Sequence, residues 1–564
     1  MGLGYDEAIA MLTGPGGPFE IEEAEIRGQR LKVFKSTPPS LRAVFDLART
    51  RGDQPFLVYE DEQWSFGEVM RHADALGAAL VERYGVEPGD RVSIAMRNYP
   101  EWIVAFAAIT SVGGVAVLQN AWWTADEIDY GLRDSGSKVL IADLERLERA
   151  QATIADAGVA TVVVRSEDRS LPAGVDRYED VVALGTPMPA VDIDPHADAT
   201  ILYTSGTTGR PKGAVSTHHA VLSAMGAFGC RGMALALTSG QGDDAEAAPA
   251  PPPALCFILV VPLFHVTGCV AVMLSCFGGG HKLVMMYKWE PGRALQLIER
   301  EKVSNFVGVP TMSWDLLESP DFEKYDTTSL AFVGGGGAPA PPELVKRVDG
   351  SFRNAAPGIG YGMTETNAYG PQNAGDDYLR KPTSCGRTVP VVEMKVAHED
   401  GVALPSGEVG EIWFRGPNLI RGYWNRPEAT AETIVDGWLR SGDIGRIDEE
   451  GFVYVQDRAK DMVLRGGENI YCAEVEAAIY EHPAVYEAAV FGMPHERLGE
   501  EVAAAIVVKD GHQLETAELQ AHVRERLAGF KVPSIVQLGS TSLPRNASGK
   551  ILKREIRDAL VDAG

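Results

Sequence analysis

From about residue 40 to residue 455, short apolar runs alternate with stretches of helical periodicity, and that alternation leaves few folds open. A strand followed by an amphipathic helix, again and again, packs as parallel sheet covered by helices, because each helix must bury its apolar stripe against the sheet. One such helix opens at Ser65, where Glu68 three residues on completes a capping box. Val69, Ala73, Leu76 and Leu80 follow at spacings of 4, 3 and 4 and form its inward stripe. The turn Glu87-Pro88-Gly89-Asp90 leads into a strand over Arg91–Ala95 and a helix around Trp102–Ile109, and Lys138–Ile141 and Thr161–Val164 read as further strands. The seven apolar residues Leu255–Val261, bounded by Pro253 and Pro262, form a buried strand, since a membrane span needs about 20 residues.

Two places break the pattern. Thr238–Pro253 is rich in Gly, Asp, Ala and Pro and reads as an exposed loop. Near residue 460 a compact tail begins, with strands at Val485–Phe491 and Val502–Lys509 and a helix near Ala517–Leu527. The expected fold class is therefore α/β: a large N-terminal domain of βα-layered subdomains over residues 1–456, a junction at 457–460, and a small α+β C-terminal domain over 461–564.

Acidic residues outnumber basic ones by 78 to 52, a net charge of −26. That balance argues against a general nucleic-acid binder or a protein bound to anionic membranes. Six cysteines (Cys230, Cys256, Cys269, Cys276, Cys385, Cys472) lie at irregular spacings without a Cys-x-x-Cys pair, the pattern of reduced, mostly buried thiols. The N-terminus, Met1-Gly2-Leu3-Gly4-Tyr5-Asp6-Glu7, lacks the blocks of a signal peptide, and Asp6 stands where a myristoylation signal wants Ser or Thr. The expectation is a soluble cytoplasmic protein with no integral membrane segment and no nucleic-acid partner. The 61 glycines, about 11% against a usual ~7%, direct attention to glycine-rich loops.

The strongest of these is Tyr203-Thr204-Ser205-Gly206-Thr207-Thr208-Gly209-Arg210-Pro211-Lys212-Gly213, directly after the strand-like Ala199–Tyr203. Thr204, Ser205, Thr207 and Thr208 offer hydroxyl donors, Gly206 and Gly209 let backbone N–H groups turn towards an anion, and Lys212 adds a mobile cation. Together they suit a polyphosphate. The string is not the common P-loop, which places Gly-Lys-Ser/Thr after four spacers.

This string resembles the phosphate loop of adenylate-forming enzymes, the superfamily of acyl-CoA synthetases, luciferases and peptide-synthetase adenylation domains. Further matches follow in the family's order over roughly residues 40 to 560: Tyr361-Gly362-Met363-Thr364-Glu365; Ser441-Gly442-Asp443; Asp457-Arg458 leading to Gly466-Gly467-Glu468-Asn469; and Leu543-Pro544-Arg545-Asn546-Ala547-Ser548-Gly549-Lys550. By this resemblance the chain uses ATP, Mg²⁺ and CoA on a small-molecule carboxylic acid.

The resemblance assigns roles residue by residue. Lys550 and Thr204 act on the reacting phosphates, and Glu365, with Thr364 beside it, holds Mg²⁺. Asp443 accepts the ribose hydroxyls and Arg458 serves the ribose or the α-phosphate side. Gly337, Ala338 and Pro339 lie against one face of the adenine, with Gly360 and Tyr361 on the other. Lys460 takes the hinge position, which makes the C-terminal domain mobile, and Gly466 and Gly467 wall a pantetheine tunnel after domain rotation. His265, Gly308, Gly336 and Gly362 line the acid pocket. Gly362 stands where acetate-specific relatives carry tryptophan, so its missing side chain is expected to open the pocket floor. By composition alone, Glu365, Asp443, Arg458 and Lys550 are also compatible with ordinary surface charges, Tyr361 with a core tyrosine and His265 with a satisfied core histidine.

The net charge is reconciled with anionic substrates if the basic residues cluster locally. Arg210 and Lys212 lie in the loop, and Arg545, Lys550, Lys553, Arg554 and Arg557 against Glu555 give a second basic run. Cys472 replaces a frequent proline and reads as a packing substitution. The leading expectation is an AMP-forming carboxylic acid:CoA ligase for an acid larger than acetate, whether fatty, aryl or cyclic. An amino-acid-adenylating domain is disfavoured because no acidic anchor accompanies Phe264 and His265, and because 14 residues follow Lys550 in this sequence. A luciferase-like or carrier-loading acceptor and a catalytically dead nucleotide-binding scaffold stay open, and a homodimer is the expected assembly.

Overall fold

The computed structural model describes residues 3–204, 210–238, 254–458, 461–465, 468–546 and 549–563. Two eight-stranded sheets form the body. In the first, the order is Gly422–Tyr423, Lys212–Thr217, Asp198–Thr204, Val115–Leu118, Arg91–Ala95, Val139–Asp143, Ala160–Val164, Val175–Arg177. Its strands run parallel from Asp198–Thr204 outward, and the two at the other edge are antiparallel. The second sheet runs Gln372–Ala374, Ala356–Gly360, Phe332–Gly336, Asn305–Gly308, Cys256–Leu259, Lys282–Met285, Pro55–Tyr59, Glu62–Ser65, parallel except at its two ends. One continuous core spans both sheets and the helices between them.

Local chemistry explains the elements. The helix Phe66–Glu82 starts where Ser65 and Glu68 exchange hydrogen bonds, at 3.2 Å from the Glu68 N–H and 2.7 Å from the Ser65 N–H, and its expected stripe is fully buried. The expected strand at Arg91–Ala95 is present as written, and the apolar run after Pro253 contributes Cys256–Leu259. All six cysteines are free, five of them buried.

Three features differ from the expectation. The first forty residues add a helix, Tyr5–Thr13, and an antiparallel hairpin, Ile21–Ile26 with Gln29–Phe34. Helix His218–Thr238 has the length and apolar composition of a membrane span, but half of it is buried within the fold, which identifies it as a core helix. Residues 393–458 do not continue the βα alternation: they form a five-stranded antiparallel-rich sheet whose centre is Trp438–Ile447. Their strands alternate with period 2, and the one helix among them, Pro427–Thr433, is too short for its periodicity to mark. The expected loop at Thr238–Pro253 lies outside the described residues beyond Thr238 itself.

The tail carries its own sheet, Glu468–Ile470, Val463–Arg465, Gly499–Val508 and Val485–His495, with Ile535–Gly539 added in parallel. Its core, from Val463 to Val523, is separate from the main one.

Candidate active site

The two ends of the phosphate-loop string belong to paired strands. Asp198–Thr204 and Lys212–Thr217 pair antiparallel, Thr204 stands opposite Lys212, and the Thr204 hydroxyl donates to the Lys212 carbonyl at 3.3 Å. Ser205, Gly206, Thr207, Thr208 and Gly209 lie outside the described residues. A Cβ on Gly213 would meet Ile201 at 2.7 Å, so glycine is what lets the hairpin close.

Along the outer edge of this hairpin, Gly422–Tyr423 adds a short strand, with Tyr423 opposite Ala214. Next to it the turn Thr364–Thr366 ends in Asn367 and Ala368, both with positive φ (51° and 66°). The turn is pinned by buried amides: Ser216 donates to Asn367 at 2.9 Å, Asn367 to the Asn418 carbonyl at 2.9 Å, and Asn418 to the Thr366 carbonyl at 2.9 Å. Glu365 is thereby held buried, and the Tyr423 hydroxyl donates to its Oε1 at 2.6 Å. Burial pushes the Glu365 carboxyl up from its ordinary value, against the pull of the Tyr423 hydrogen bond. Among the described residues no lysine or arginine forms an ion pair with it. Lys212 reaches the same place from the other side, its ammonium 5.3 Å from the Tyr423 ring centroid. A buried carboxylate left without a side-chain cation, beside a hairpin suited to phosphates, fits a divalent cation whose other ligands are phosphate oxygens and water.

A second cluster forms where Trp438–Ile447 pairs with Val453–Arg458. Asp443 stands opposite Arg458, with Nε–Oδ1 at 3.3 Å, and Tyr361 donates to Asp443 Oδ2 at 2.5 Å. Burial pushes the Asp443 carboxyl up, and Arg458, Tyr361 and Lys550 oppose that shift. The Tyr361 ring packs on Phe414 with centroids 5.6 Å apart. Glycines set the neighbouring strands close: a Cβ on Gly336 would meet the Gly360 carbonyl oxygen at 2.4 Å. Gly337, with φ +83°, turns the chain into Ala338 and Pro339 at the carboxyl end of that parallel strand, the usual place for a ligand in such sheets.

Lys550 comes to this cluster from the tail. Its backbone N–H donates to Asn546 Oδ1 at 2.9 Å, and the adjoining Gly549 (φ +82°) lies against Val309, where a Cβ would stand 3.1 Å from Val309 Cγ2. Burial and the neighbouring Arg458 push the Lys550 ammonium down to about 8, while Asp461 and Asp443 pull it up. The tail is fastened to the body at helix Pro310–Leu317. Tyr486 donates to Asp315 Oδ1 at 2.9 Å while Trp289 donates to Oδ2 at 2.8 Å, and Lys509 pairs with Glu318 at 3.4 Å.

The expected second basic run is corrected. Arg545 pairs with Glu487 at 2.9 Å, Lys553 with Glu476 at 2.7 Å, and Arg554 and Arg557 with Asp558 at 3.7 and 3.6 Å. These charges are spent within the tail, so Lys550 alone of the five faces Asp443. Lys460, Gly466 and Gly467 lie outside the described residues. Cys472 is buried, its thiol 3.0 Å from the Asp461 carbonyl, and burial pushes that thiol well up, as befits a packing residue.

In the acid-pocket set, His265 lies at the start of a π-helix, Thr267–Leu274, and its carbonyl accepts from the Cys269 N–H at 3.0 Å. Its Nε2 is buried without a partner among the described residues, and burial pushes the imidazole down to about 4, so the ring is neutral. Gly308 fits beneath Phe306 and Val260, each 3.1–3.2 Å from a Cβ placed there. Gly362 differs from the expectation of an open floor. A Cβ there would meet the Ala368 carbonyl oxygen at 2.2 Å, so the missing side chain makes room for the Thr364–Tyr369 turn. The sequence reading missed Tyr423, Asp315, Tyr486 and the Asn367–Asn418 pair. No local motif links them, since each meets its partner across tens of residues.

Comparison with known proteins follows the same lines. The model of the AMP-binding enzyme family matches residues 44–424, and that of the AMP-binding enzyme C-terminal domain matches residues 474–550. A feruloyl-CoA synthase from Amycolatopsis sp is 36% identical over 489 residues, covering 87% of this chain and 91% of that one. A long-chain-fatty-acid–CoA ligase from Bacillus subtilis is 32% identical over 543 residues, covering 91% and 92%. The ATP-bound structure of MatB from Rhodopseudomonas palustris superposes with a TM-score of 0.78 at 30% identity, covering 93% of this chain and 99% of that one.

Proposed function

The chain belongs to the AMP-binding enzyme family and is an AMP-forming acid–thiol ligase using ATP, Mg²⁺ and CoA; from that premise we propose which of its residues carry the reaction and what acid it takes. The observation that carries the assignment is the arrival of Lys550, from a separately cored unit, beside Asp443 and Arg458.

Thr204, Ser205–Gly209 and Lys212 hold the β- and γ-phosphates. Asp443 accepts from the ribose hydroxyls, Arg458 steadies the ribose side, and adenine lies between Gly337–Pro339 and Gly360–Tyr361. Glu365, with Thr364 beside it, holds Mg²⁺, which neutralises phosphate charge when bound. The acid's carboxylate oxygen attacks the α-phosphorus, the bond to the bridging oxygen breaks, and pyrophosphate leaves with the electron pair. Lys550 stabilises the charge that builds on the α-phosphate oxygens. The tail then turns about residues 457–460, with Lys460 at the hinge, and Gly466 and Gly467 form the passage for the CoA arm. The thiol sulfur attacks the acyl carbonyl, loses its proton, and AMP departs.

The acid is larger than acetate: fatty, aryl or cyclic. A neutral His265 and the substrates in the relatives' names support this reading. Free thiols and the need for ATP and CoA suit the cytoplasm. The test is a pyrophosphate-release screen over acids graded in length and ring content, with acetate as comparator. Turnover highest with acetate would refute the substrate class, and release with no acid at all would refute the assignment.

A further inference from the structure

Tyr423 belongs to none of the segments that first pointed to nucleotide chemistry, yet it touches two of them. Its hydroxyl donates to Glu365 Oε1 at 2.6 Å, and its ring lies under the Lys212 ammonium at 5.3 Å. The side chain has little freedom. Its strand is paired to the phosphate hairpin at Ala214, its N–H is taken by Thr430 Oγ1 at 2.9 Å, and the residue is buried. The flanking residues are tied to the same hairpin: Arg421 N–H to the Val215 carbonyl at 2.9 Å and Trp424 N–H to the Gly213 carbonyl at 2.8 Å. The Ile420 N–H also donates to the Glu365 carbonyl at 3.0 Å, and Arg27 from the N-terminal hairpin holds the Ile420 carbonyl at 2.7 Å.

Lys212 and Glu365 meet the same side chain at different places, the ammonium at the ring and the carboxylate at the hydroxyl, and among the described residues they form no ion pair with each other. An aromatic face satisfies the ammonium in part, without a carboxylate, and leaves it free to turn towards phosphate. The phenol meanwhile fixes one carboxylate oxygen and leaves the other for a cation. We propose that Tyr423 is a positioning residue that orients the Glu365 carboxylate for a divalent cation and holds Lys212 apart from it. This rests on the reading of Glu365 as the Mg²⁺ ligand.

The test measures binding of α,β-methylene-ATP by titration calorimetry, with Mg²⁺ and in EDTA, for the wild type, Tyr423→Phe, Glu365→Gln and the double variant. Phenylalanine keeps the ring and its packing, so a purely structural role would leave the ratio of the two affinities unchanged. Orientation of the carboxylate predicts that Tyr423→Phe lowers the Mg²⁺/EDTA ratio about 10- to 100-fold, the usual cost of removing a group that orients a metal ligand. Affinity in EDTA should stay the same, and the double variant should match Glu365→Gln. A wild-type ratio in Tyr423→Phe, alongside loss of the ratio in Glu365→Gln, would overturn this proposal alone. Additive losses in the double variant would overturn it too. A wild-type ratio in Glu365→Gln would overturn both this proposal and the metal assignment on which it rests.

Discussion

Replacing Lys550 separates the two half-reactions. A cation about 4 Å from a charge developing on the α-phosphate contributes on the order of 4 kcal/mol at an effective dielectric of 20, which corresponds to about 10³-fold in rate. Lys550→Ala is therefore expected to slow pyrophosphate release by that factor and to leave CoA thiolysis of supplied acyl-adenylate near wild type. The titration of Lys550 gives an independent signature. Burial and Arg458 push its ammonium down to about 8 in the free enzyme. The group is charged below that value and loses its proton above it, so kcat/KM for adenylation should be level on the acid side and fall on the alkaline side. Between pH 7 and pH 9 the charged fraction drops from about nine-tenths to about one-tenth. Lys550→Arg, charged throughout, should abolish this alkaline limb whatever its absolute rate. Near wild-type adenylation by Lys550→Ala, or an unchanged alkaline limb in Lys550→Arg, would refute the reasoning.

Tyr486→Phe removes the hydrogen bond that fastens the tail to Asp315; a loss of about 1–2 kcal/mol should slow pyrophosphate release ~5- to 30-fold. Thiolysis should be unaffected, and an equal fall in both half-reactions would show that the contact does not bias the arrangement of the units. Gly362→Ala drives a Cβ into the Ala368 carbonyl oxygen at 2.2 Å, so thermal unfolding should shift down by several degrees; an unchanged midpoint would mean that the position is open. Asp443→Asn should raise the KM for ATP about tenfold, as expected for a charge-assisted hydrogen bond, and should erase discrimination between ATP and 2′-deoxy-ATP. Steady-state kinetics with both nucleotides checks this, and retained discrimination would place the ribose elsewhere.

The parts of this protein that rest on short-range chemistry were legible in the chain. The Ser65–Glu68 cap, the Arg91–Ala95 strand and the buried Leu255–Val261 run follow from periodicity and turn residues within a few positions of each other. The order of the glycine-rich and acidic motifs pointed to adenylation through their resemblance to adenylate-forming enzymes, and each motif was visible because its residues are contiguous. The antiparallel sheet of residues 393–458 escaped, since its short strands need partners far along the chain to declare themselves.

The same distinction runs through the site. Sequence alone marked Glu365, Asp443 and Lys550 as candidate charges, but their state depended on what surrounds them. Glu365 is buried with no ion-pair partner among the described residues, and burial with Arg458 alongside pushes the Lys550 ammonium down to about 8. Arg545 and Lys553 looked as available as the rest of a linear run of positive charge, and folding brought Glu487 and Glu476 to them. Residue types determine which reactions a chain can attempt. Desolvation and pairing, which act through space and not along the sequence, decided which of those residues are free to do it.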